Sequence, residues 1–289
     1  MQTRCLYKLP YNQYQPQVRL PDQQKLLGFF TFISYNINMK LKISLISDTH
    51  TKHDRIVTSK SLRNSKHPLD LPGGDLLIHA GDFMNSGYNK TEALDFFKWY
   101  DEIDNYDTKV FIAGNHDRWM QNFAEEAKGM LTGYKTIEYL EDDWMGMYFD
   151  GHNGDMPEEN VRIYGSPWQP WFHAWAFNLP RNGEEMKARW DAIPDNIDIL
   201  VTHGPAYGYL DIPGGQNIRV GCEMLRERVD AFRPKIHVFG HIHGSWGHYF
   251  NGHTHFFNAA VLDERYAYTH APWNFEWDNI TNEITWQKD

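Results

Sequence analysis

Short apolar runs recur along the chain, and each of them ends at a glycine or a polar residue. Runs of this kind without a helical period predict buried strands, which we place at residues 39–47, 76–79, 109–113, 138–149, 161–164, 197–201 and 236–239. Amphipathic stretches predict helices at residues 91–104, 184–193 and 222–232. After residue 243 the chain becomes strand-rich and aromatic. Strand–helix alternation followed by strands alone predicts an α/β fold of two packed sheets flanked by helices.

The beginning of the chain differs in composition from the rest. Residues 1–38 are rich in Gln, Asn, Tyr and Pro and show no clear period, whereas Met39 precedes two lysines and an apolar run. We interpret residues 1–38 as an N-terminal extension outside the core, or as the product of an upstream start, and residues 39–289 as one domain. A chain that begins at Met39 should then keep its stability and activity, and loss of either would disprove this division.

Composition limits the classes to which the protein can belong. With 289 residues the chain can bury a large core without disulfides, and its two cysteines, Cys5 and Cys222, lie far apart. So few cysteines fit a reducing compartment, and we expect a cytoplasmic protein. The nearest candidate for a membrane span, residues 26–33, is too short, so we expect no membrane partner. A net charge of −10 argues against stable nucleic-acid binding, which requires clustered Lys and Arg.

Polar motifs follow five of the apolar runs. They are Asp48-Thr49-His50, Gly81-Asp82, Gly114-Asn115-His116-Asp117, Thr202-His203 and Gly240-His241-Ile242-His243. Because ligands bind at the carboxyl ends of strands in open α/β sheets, we expect these side chains to converge. Carboxylate, imidazole and amide donors together suit Mn, Fe, Zn, Ni or Co, whereas a site for Mg alone is nearly all oxygen. The motifs therefore predict a metal site without cysteine ligands, which also makes a structural zinc site a poor match.

The five motifs, in this order, resemble the pattern D-x-H, G-D, G-N-H, H and G-H-x-H of the calcineurin-like metallophosphoesterase superfamily. The resemblance runs from about Lys42 to Asn258. It is closest to the branch of metallophosphoesterase-domain proteins and to class III cyclic-nucleotide phosphodiesterases, on the stretches 47–50, 166–170, 178–181, 220–222 and 233–240. It implies a four-layer fold, in which two mixed β-sheets pack face to face and helices flank them.

The resemblance also implies roles for the site residues and two divalent metal ions, with Mn favoured. One metal would be held by Asp48, His50, Asp82 and His243, and the second by Asp82, Asn115, His203 and His241. His116 would be a non-ligand acid that serves the leaving group, and Asp117 would orient its ring. Two cations roughly 3.5–4 Å apart can lower the pKa of a bridging water, so that hydroxide attacks phosphorus.

The expected activity is a phosphodiesterase for small substrates, with cyclic nucleotides (3′,5′ or 2′,3′) as the leading candidates. The residues after Gly81-Asp82 lack the Arg that is usual in Ser/Thr protein phosphatases, and Asn85 stands where purple acid phosphatases carry Tyr. A phosphomonoesterase, a nuclease and a non-catalytic scaffold that binds metal or nucleotide remain alternatives, and a homodimer is left open. The aromatic loop Trp168–Phe177 either lines the substrate pocket or covers the sheet edge.

Overall fold

A computed structural model describes residues 40–53, 71–149 and 158–287. The predicted extension, residues 1–38, lies outside the described residues. The strands are β1 (Lys40–Ile46), β2 (Gly74–His79), β3 (Tyr106–Phe111), β4 (Ile137–Tyr139), β5 (Asp143–Phe149), β6 (Glu158–Ser166), β7 (Gln169–Pro170), β8 (Asn178–Leu179), β9 (Ile199–Thr202), β10 (Ile236–Phe239), β11 (Gly247–Phe250), β12 (His255–Asn258), β13 (Trp273–Asp278) and β14 (Ile284–Trp286). The helices are α1 (Lys90–Glu102), α2 (Arg118–Asn122), α3 (Ala124–Leu131), α4 (Glu184–Asp191) and α5 (Glu223–Phe232). No helix in these ranges is long and apolar enough to cross a membrane.

The strands form two mixed sheets of six strands each. The first has the order β14-β13-β1-β2-β3-β4. In it β1 to β4 run parallel, β13 pairs antiparallel with β1, and β14 pairs antiparallel with β13. The second has the order β11-β12-β10-β9-β6-β5, in which the four central strands are parallel and both edge strands antiparallel. A short pair, β7 and β8, stands apart from both sheets.

Apolar side chains on alternate strand positions place the core between the two sheets. Ile43 and Ile78 of the first sheet share one buried cluster with Ile163 and Val238 of the second. The outer face of the first sheet packs against α1, and that of the second packs against α4 and α5. Because each sheet buries both faces, helices and sheets stack in four layers, and the predicted fold class is confirmed.

One predicted strand is wrong, and two helices were not predicted. Residues 138–149 form β4 in the first sheet and β5 in the second, because the chain turns from one sheet to the other at Asp142, where φ is 51°. The Asp142 carboxylate fastens this turn by accepting hydrogen bonds from Ser166 (2.7 Å) and the Trp168 indole (2.8 Å). The missed helices, α2 and α3, are short and begin without a side-chain cap, which leaves little signal in the sequence.

Candidate metal centre

The five polar motifs lie together where the parallel strands of both sheets end. Those after β1, β2 and β3 come from the first sheet, and those after β9 and β10 come from the second. Backbone bonds continue the ladders into the loops, since the Asp48 N–H donates to Gly81 O (2.9 Å) and the His50 N–H to Asp82 O (3.0 Å). On the second sheet the Gly240 N–H donates to His203 O (2.9 Å). The fold therefore brings all five motifs to one place.

Two glycines allow the loops to approach each other closely. A Cβ at Gly240 would lie 2.0 Å from Asp48 Oδ2, which belongs to the opposite sheet. A Cβ at Gly114 would lie 2.4 Å from Asp82 Oδ1. Any larger residue at either position would push a carboxylate out of place. The glycines of these two motifs thus serve the packing of the site.

Several acidic and imidazole positions have left-handed backbone conformations. The φ angle is 54° at Asp48, 56° at Asp82 and 67° at His241, none of which is a glycine. Such conformations cost on the order of 1–3 kcal/mol each and persist only where the surroundings enforce them. At these three positions the conformation aims the side chains of neighbouring loops into one place, as such outliers do at ligand-binding sites.

The donor atoms fall into overlapping groups. Asp48, His50 and His243 form one group, and Asp82, His203 and His241 form another. A third group, His50, Asp82 and His116, overlaps both, and in each group the ligand atoms lie within 4.8 Å of one another. Asp82 Oδ2 lies 3.3 Å from His203 Nε2 and 3.8 Å from His50 Nε2, and therefore stands between the two groups. Asn115 Oδ1 lies 2.9 Å from His203 Nε2.

Hydrogen bonds set the tautomers of three of these histidines. The Nδ1 atoms of His50, His203 and His243 contact the backbone carbonyls of Met84 (3.1 Å), Ala80 (3.0 Å) and Asp263 (2.9 Å). Because a carbonyl can only accept, Nδ1 carries a proton in each ring, and Nε2 is the nitrogen that faces the carboxylates. Metal-binding histidines characteristically have this second hydrogen bond. The donor set therefore fits divalent cations.

The electrostatics of the cluster also favour cations. Burial by itself would raise the pKa of Asp48, but the hydrogen bond and charge of His243 hold it below its usual range. Burial would lower the pKa of His203 and of His243, yet the charges of Asp82 and Asp48 outweigh it and raise both to about 9. The two buried carboxylates thus stabilise positive charge on His203 and His243. Burial prevails at His50 and His241, where it lowers the pKa to about 4 and about 3.

His116 lies beside this cluster, and Asp117 does not orient its ring as expected. The ring Nδ1 of His116 contacts the backbone carbonyl of Asn85, while the backbone N–H of His116 donates to Asp82 Oδ1 (2.7 Å). The Asp117 carboxylate instead accepts the backbone N–H groups of Asp82 (2.9 Å), Met84 (2.8 Å) and Gly114 (2.7 Å). With both oxygens bound in this way, Asp117 ties the β2 and β3 loops together, and the predicted support of His116 is wrong.

A cleft of about 490 Å³ opens over the donor cluster. Its wall is largely apolar and includes Pro170, Trp171, Phe172, Pro213, Ile218 and Val220. Both interpretations of the aromatic loop hold, for different residues. Trp171 and Phe172 line the cleft and are exposed, whereas the buried Phe177 and the half-buried Trp168 pack edge-to-face at 5.5 Å.

Three contributors to the site were not identified from the sequence. Asn85 acts through its backbone carbonyl, which no side-chain pattern reveals. Tyr266 lines the cleft and meets the His50 ring edge-on at 4.8 Å, although the two residues are far apart in the sequence. Trp175 stacks on His116, and only its membership of an aromatic loop near other motifs could have suggested a role.

Comparison with known proteins is consistent with this geometry. The sequence model of the calcineurin-like phosphoesterases matches residues 41–245. Metallophosphoesterase domain-containing protein 1 of Homo sapiens is 35% identical over 241 residues, which cover 78% of this chain and 68% of the relative. A UPF0046 protein of Caenorhabditis elegans is 34% identical over 238 residues, covering 78% and 71%.

A solved structure shares the fold at low sequence identity. The crystal structure of TT1561 of Thermus thermophilus superposes with a TM-score of 0.56 over 86% of this chain and 98% of that chain. The two sequences are 14% identical, so this likeness concerns the fold alone.

Proposed function

The chain belongs to the calcineurin-like phosphoesterase family and is a metal-dependent phosphoesterase, and within this activity we propose that it hydrolyses small phosphodiesters, nucleotides foremost. The proposal concerns the type of ester and the groups around it. It rests on the donor cluster, on the position of His116 and on the character of the cleft, in that order.

The donor cluster supports a pair of divalent cations. We assign one to Asp48, His50, Asp82 and His243, and the other to Asp82, Asn115, His203 and His241, with Mn²⁺ as the first ion to test. When bound, such a pair supplies an activated water and neutralises charge on the phosphoryl oxygens. The protein residues contribute a buried, preorganised shell, since the backbone carbonyls behind the rings keep the donors in place.

His116 is suited to serve the leaving group. Its Nδ1–H is engaged by the Asn85 carbonyl, which leaves Nε2 for the substrate, and the residue lines the cleft. In hydrolysis the water oxygen bonds to phosphorus and the P–O bond to the leaving group breaks. The leaving oxygen takes the Nε2 proton of a His116 ring that carries a proton on each nitrogen. The water proton passes to solvent. A positioned acid of this kind typically contributes 10²–10⁴-fold.

The charge of the cleft is the observation that carries the preference for a diester. Arg181 is the single Arg or Lys among the described residues that line it. Its guanidinium already donates to the Glu223 carboxylate (2.6 Å) and to the backbone carbonyls of Gly221 (2.8 Å) and Val220 (2.6 Å). The cleft therefore adds no unpaired cation for a second phosphate charge, which suits a singly charged diester better than a monoester or a polyphosphate.

The aromatic wall supports a nucleotide. Trp171 and Phe172 are 65% and 46% exposed beside the cleft, and exposed aromatic faces bind bases by stacking. The net charge of −10 gives no general attraction for long nucleic acids. A cyclic nucleotide, with one negative charge and one planar base, matches both properties of the cleft.

The test is a substrate comparison. Protein stripped of metal and reloaded with Mn²⁺ should be assayed on bis(4-nitrophenyl) phosphate, on 3′,5′- and 2′,3′-cyclic nucleotides, on a nucleoside monophosphate and on single-stranded DNA. We expect metal-dependent turnover of the diesters that exceeds monoester turnover. Preference for the monoester or for DNA would favour the alternative phosphomonoesterase or nuclease. If the metal-loaded protein turned over none of these substrates, the non-catalytic scaffold would be the favoured alternative.

Two further predictions concern the chain as a whole. We keep the hypothesis that residues 1–38 are dispensable, which a chain beginning at Met39 tests by its unfolding temperature and its diesterase rate.

We also keep the expectation of a cytoplasmic location, consistent with the free, buried thiol of Cys222. Cell fractionation followed by detection of the protein checks it.

A further inference from the structure

The indole ring of Trp175 lies nearly flat against the imidazole of His116. The ring centroids are 3.9 Å apart and the ring planes differ by 23°. We propose that Trp175 is a positioning residue for the leaving-group proton: its indole face keeps the His116 ring in the plane from which Nε2 reaches the leaving oxygen. This inference rests on the proposed function of His116.

Two contacts restrain the His116 ring in different ways. The hydrogen bond from Nδ1 to the Asn85 carbonyl sets the direction of one ring atom but allows the ring to rotate about that bond. A flat partner removes this rotation, because tilting the imidazole would drive it into the indole face or leave a gap. His50 adds an edge-on contact at 4.6 Å, with the planes 78° apart. Together the contacts define both the direction and the plane of the ring.

Trp175 is itself held by its own loop. The neighbouring Ala176 N–H donates to the Asn115 carbonyl (2.9 Å), so the loop is bonded to the residue that precedes His116. The Asn178 side-chain amide donates to the carbonyls of His173 (2.9 Å) and Trp175 (3.2 Å), which closes the loop on itself. A half-buried indole on such a loop can act as a fixed wall for the His116 ring.

A cation adds to the fixation of the indole. The Arg118 guanidinium lies 4.3 Å from the Trp175 ring centroid, and it also lies 4.7 Å from the ring of Tyr88. A contact of this type contributes about 0.5–2 kcal/mol and restrains the indole in its plane. Because Arg118 belongs to α2, which begins two residues after His116, loop, helix and imidazole form one continuous unit.

The chemical consequence depends on the leaving group. An alkoxide is a poor leaving group and needs a proton as the P–O bond breaks, whereas 4-nitrophenolate departs without one. Misorientation of His116 should therefore slow the first class of substrate far more than the second. A merely structural role of Trp175 would slow both alike.

The experiment compares Trp175→Leu and Trp175→Phe in the metal-loaded full chain. For a 3′,5′-cyclic nucleotide, whose leaving group is the ribose alkoxide, we expect kcat of the Leu variant to fall about 10–100-fold. For bis(4-nitrophenyl) phosphate we expect less than about threefold. The Phe variant keeps a flat face and should recover most of the loss. Equal losses on both substrates, or no recovery by Phe, would overturn the proposal.

Trp144 offers a matched control. It is also a half-buried tryptophan with a guanidinium over its ring, that of Arg162 at 5.3 Å. It belongs to β5, an edge strand of the second sheet that β6 separates from β9. Trp144→Leu should leave the ratio of the two rates unchanged. If it altered the ratio as Trp175→Leu does, general loosening of the fold would explain both.

A second readout does not depend on activity. NMR relaxation of the His116 Cε1–H group, whose signal is identified by its absence in His116→Gln, reports how rigidly the ring plane is held. We expect the order parameter of this group to fall in Trp175→Leu and to stay at the wild-type level in Trp175→Phe and Trp144→Leu. An unchanged order parameter in Trp175→Leu would refute the positioning role. Failure of the wild-type protein to cleave either diester would instead refute the proposed function, and the NMR result would still decide the packing role.

Discussion

The pKa of a buried histidine shifts in opposite directions in two regions only a few residues apart, one within β10 and one just after it. Beyond the strand end, the field of Asp48 raises the pKa of His243 to about 9. Within the strand, burial lowers the pKa of His237 to about 3, and no carboxylate opposes the effect. Burial acts in the same direction at both positions. The hydrogen-bonded carboxylate outweighs burial at His243, whereas nothing opposes burial at His237, which stays neutral.

The surroundings of His237 explain its neutrality in detail. The Thr202 hydroxyl donates its proton to the Gly204 carbonyl (2.7 Å), so it can only accept from His237 Nε2 (2.8 Å). The tautomer with the proton on Nε2 follows, and Nδ1 is left without a partner against the rings of Phe239 and Phe256. A second proton on Nδ1 would create an unpaired buried charge. The comparison therefore separates the metal-binding region after the end of β10 from the structural region within the strand.

Removing the carboxylate shared by both donor groups should have the largest effect. Asp82→Ala deletes the oxygen that stands between His50 and His203, so we expect metal binding to fail and activity to fall to background. Metal content by elemental analysis and kcat/KM on bis(4-nitrophenyl) phosphate measure the two effects. A variant that kept both metals would contradict the central place given to Asp82.

The substitution His116→Ala tests a histidine that borders the metal-binding region but is not a proposed ligand. In His116→Ala we expect kcat on a cyclic nucleotide to fall about 10²–10⁴-fold, because the leaving oxygen loses its proton donor. Metal content should stay that of the wild-type protein, since the proposed ligands are untouched. Loss of metal together with activity would show that His116 is a ligand.

The same substitution at two buried histidines compares the regions directly. His203→Gln removes an Nε2 lone pair from the carboxylate cluster, and we expect activity to fall by about 100-fold or more, with weaker metal binding. His237→Gln, in the structural region, should change kcat by less than about threefold. Similar losses of activity in both variants would mean that packing around the strands, and not the donor set, controls activity.

The smallest expected effect is a pH dependence of stability. His237 takes up a proton in the unfolded chain below its ordinary pKa of 6.5 but resists it in the folded chain until about pH 3. Stability is therefore lost as the pH falls through this range, by about 2 kcal/mol from this residue at pH 5. His237→Phe should lose about 2 kcal/mol less than wild type between pH 7 and pH 5.

Urea unfolding of metal-free protein at both pH values provides the measurement, with free energies extrapolated to water. Metal-free protein is used because competition between protons and metal ions at the donor cluster would otherwise add a pH dependence of its own. An identical pH dependence in wild type and variant would show that the pKa of His237 is the same in the folded and unfolded chains, which would contradict the prediction.

Local pattern predicted most strands of this protein, because buried strands leave apolar runs that turns interrupt. It failed at residues 138–149, where one apolar stretch serves two sheets, since nothing local indicates which sheet a strand will join. The local pattern also failed to predict the helices α2 and α3. Each is too short for its period to stand out, and neither has a capping side chain.

The sequence by itself determined which residues could bind metal and where in the fold they would stand. Asp48, Asp82 and His203 each follow an apolar run, and parallel strands carry such residues to a common edge. Tertiary structure alone decided the partners of these residues. Asp117 turned out to bond three backbone N–H groups, and the aromatic loop was divided between the interior and the cleft. The physical reason is that strand ends are set by local pattern, whereas hydrogen bonds and ring contacts join segments far apart in the chain.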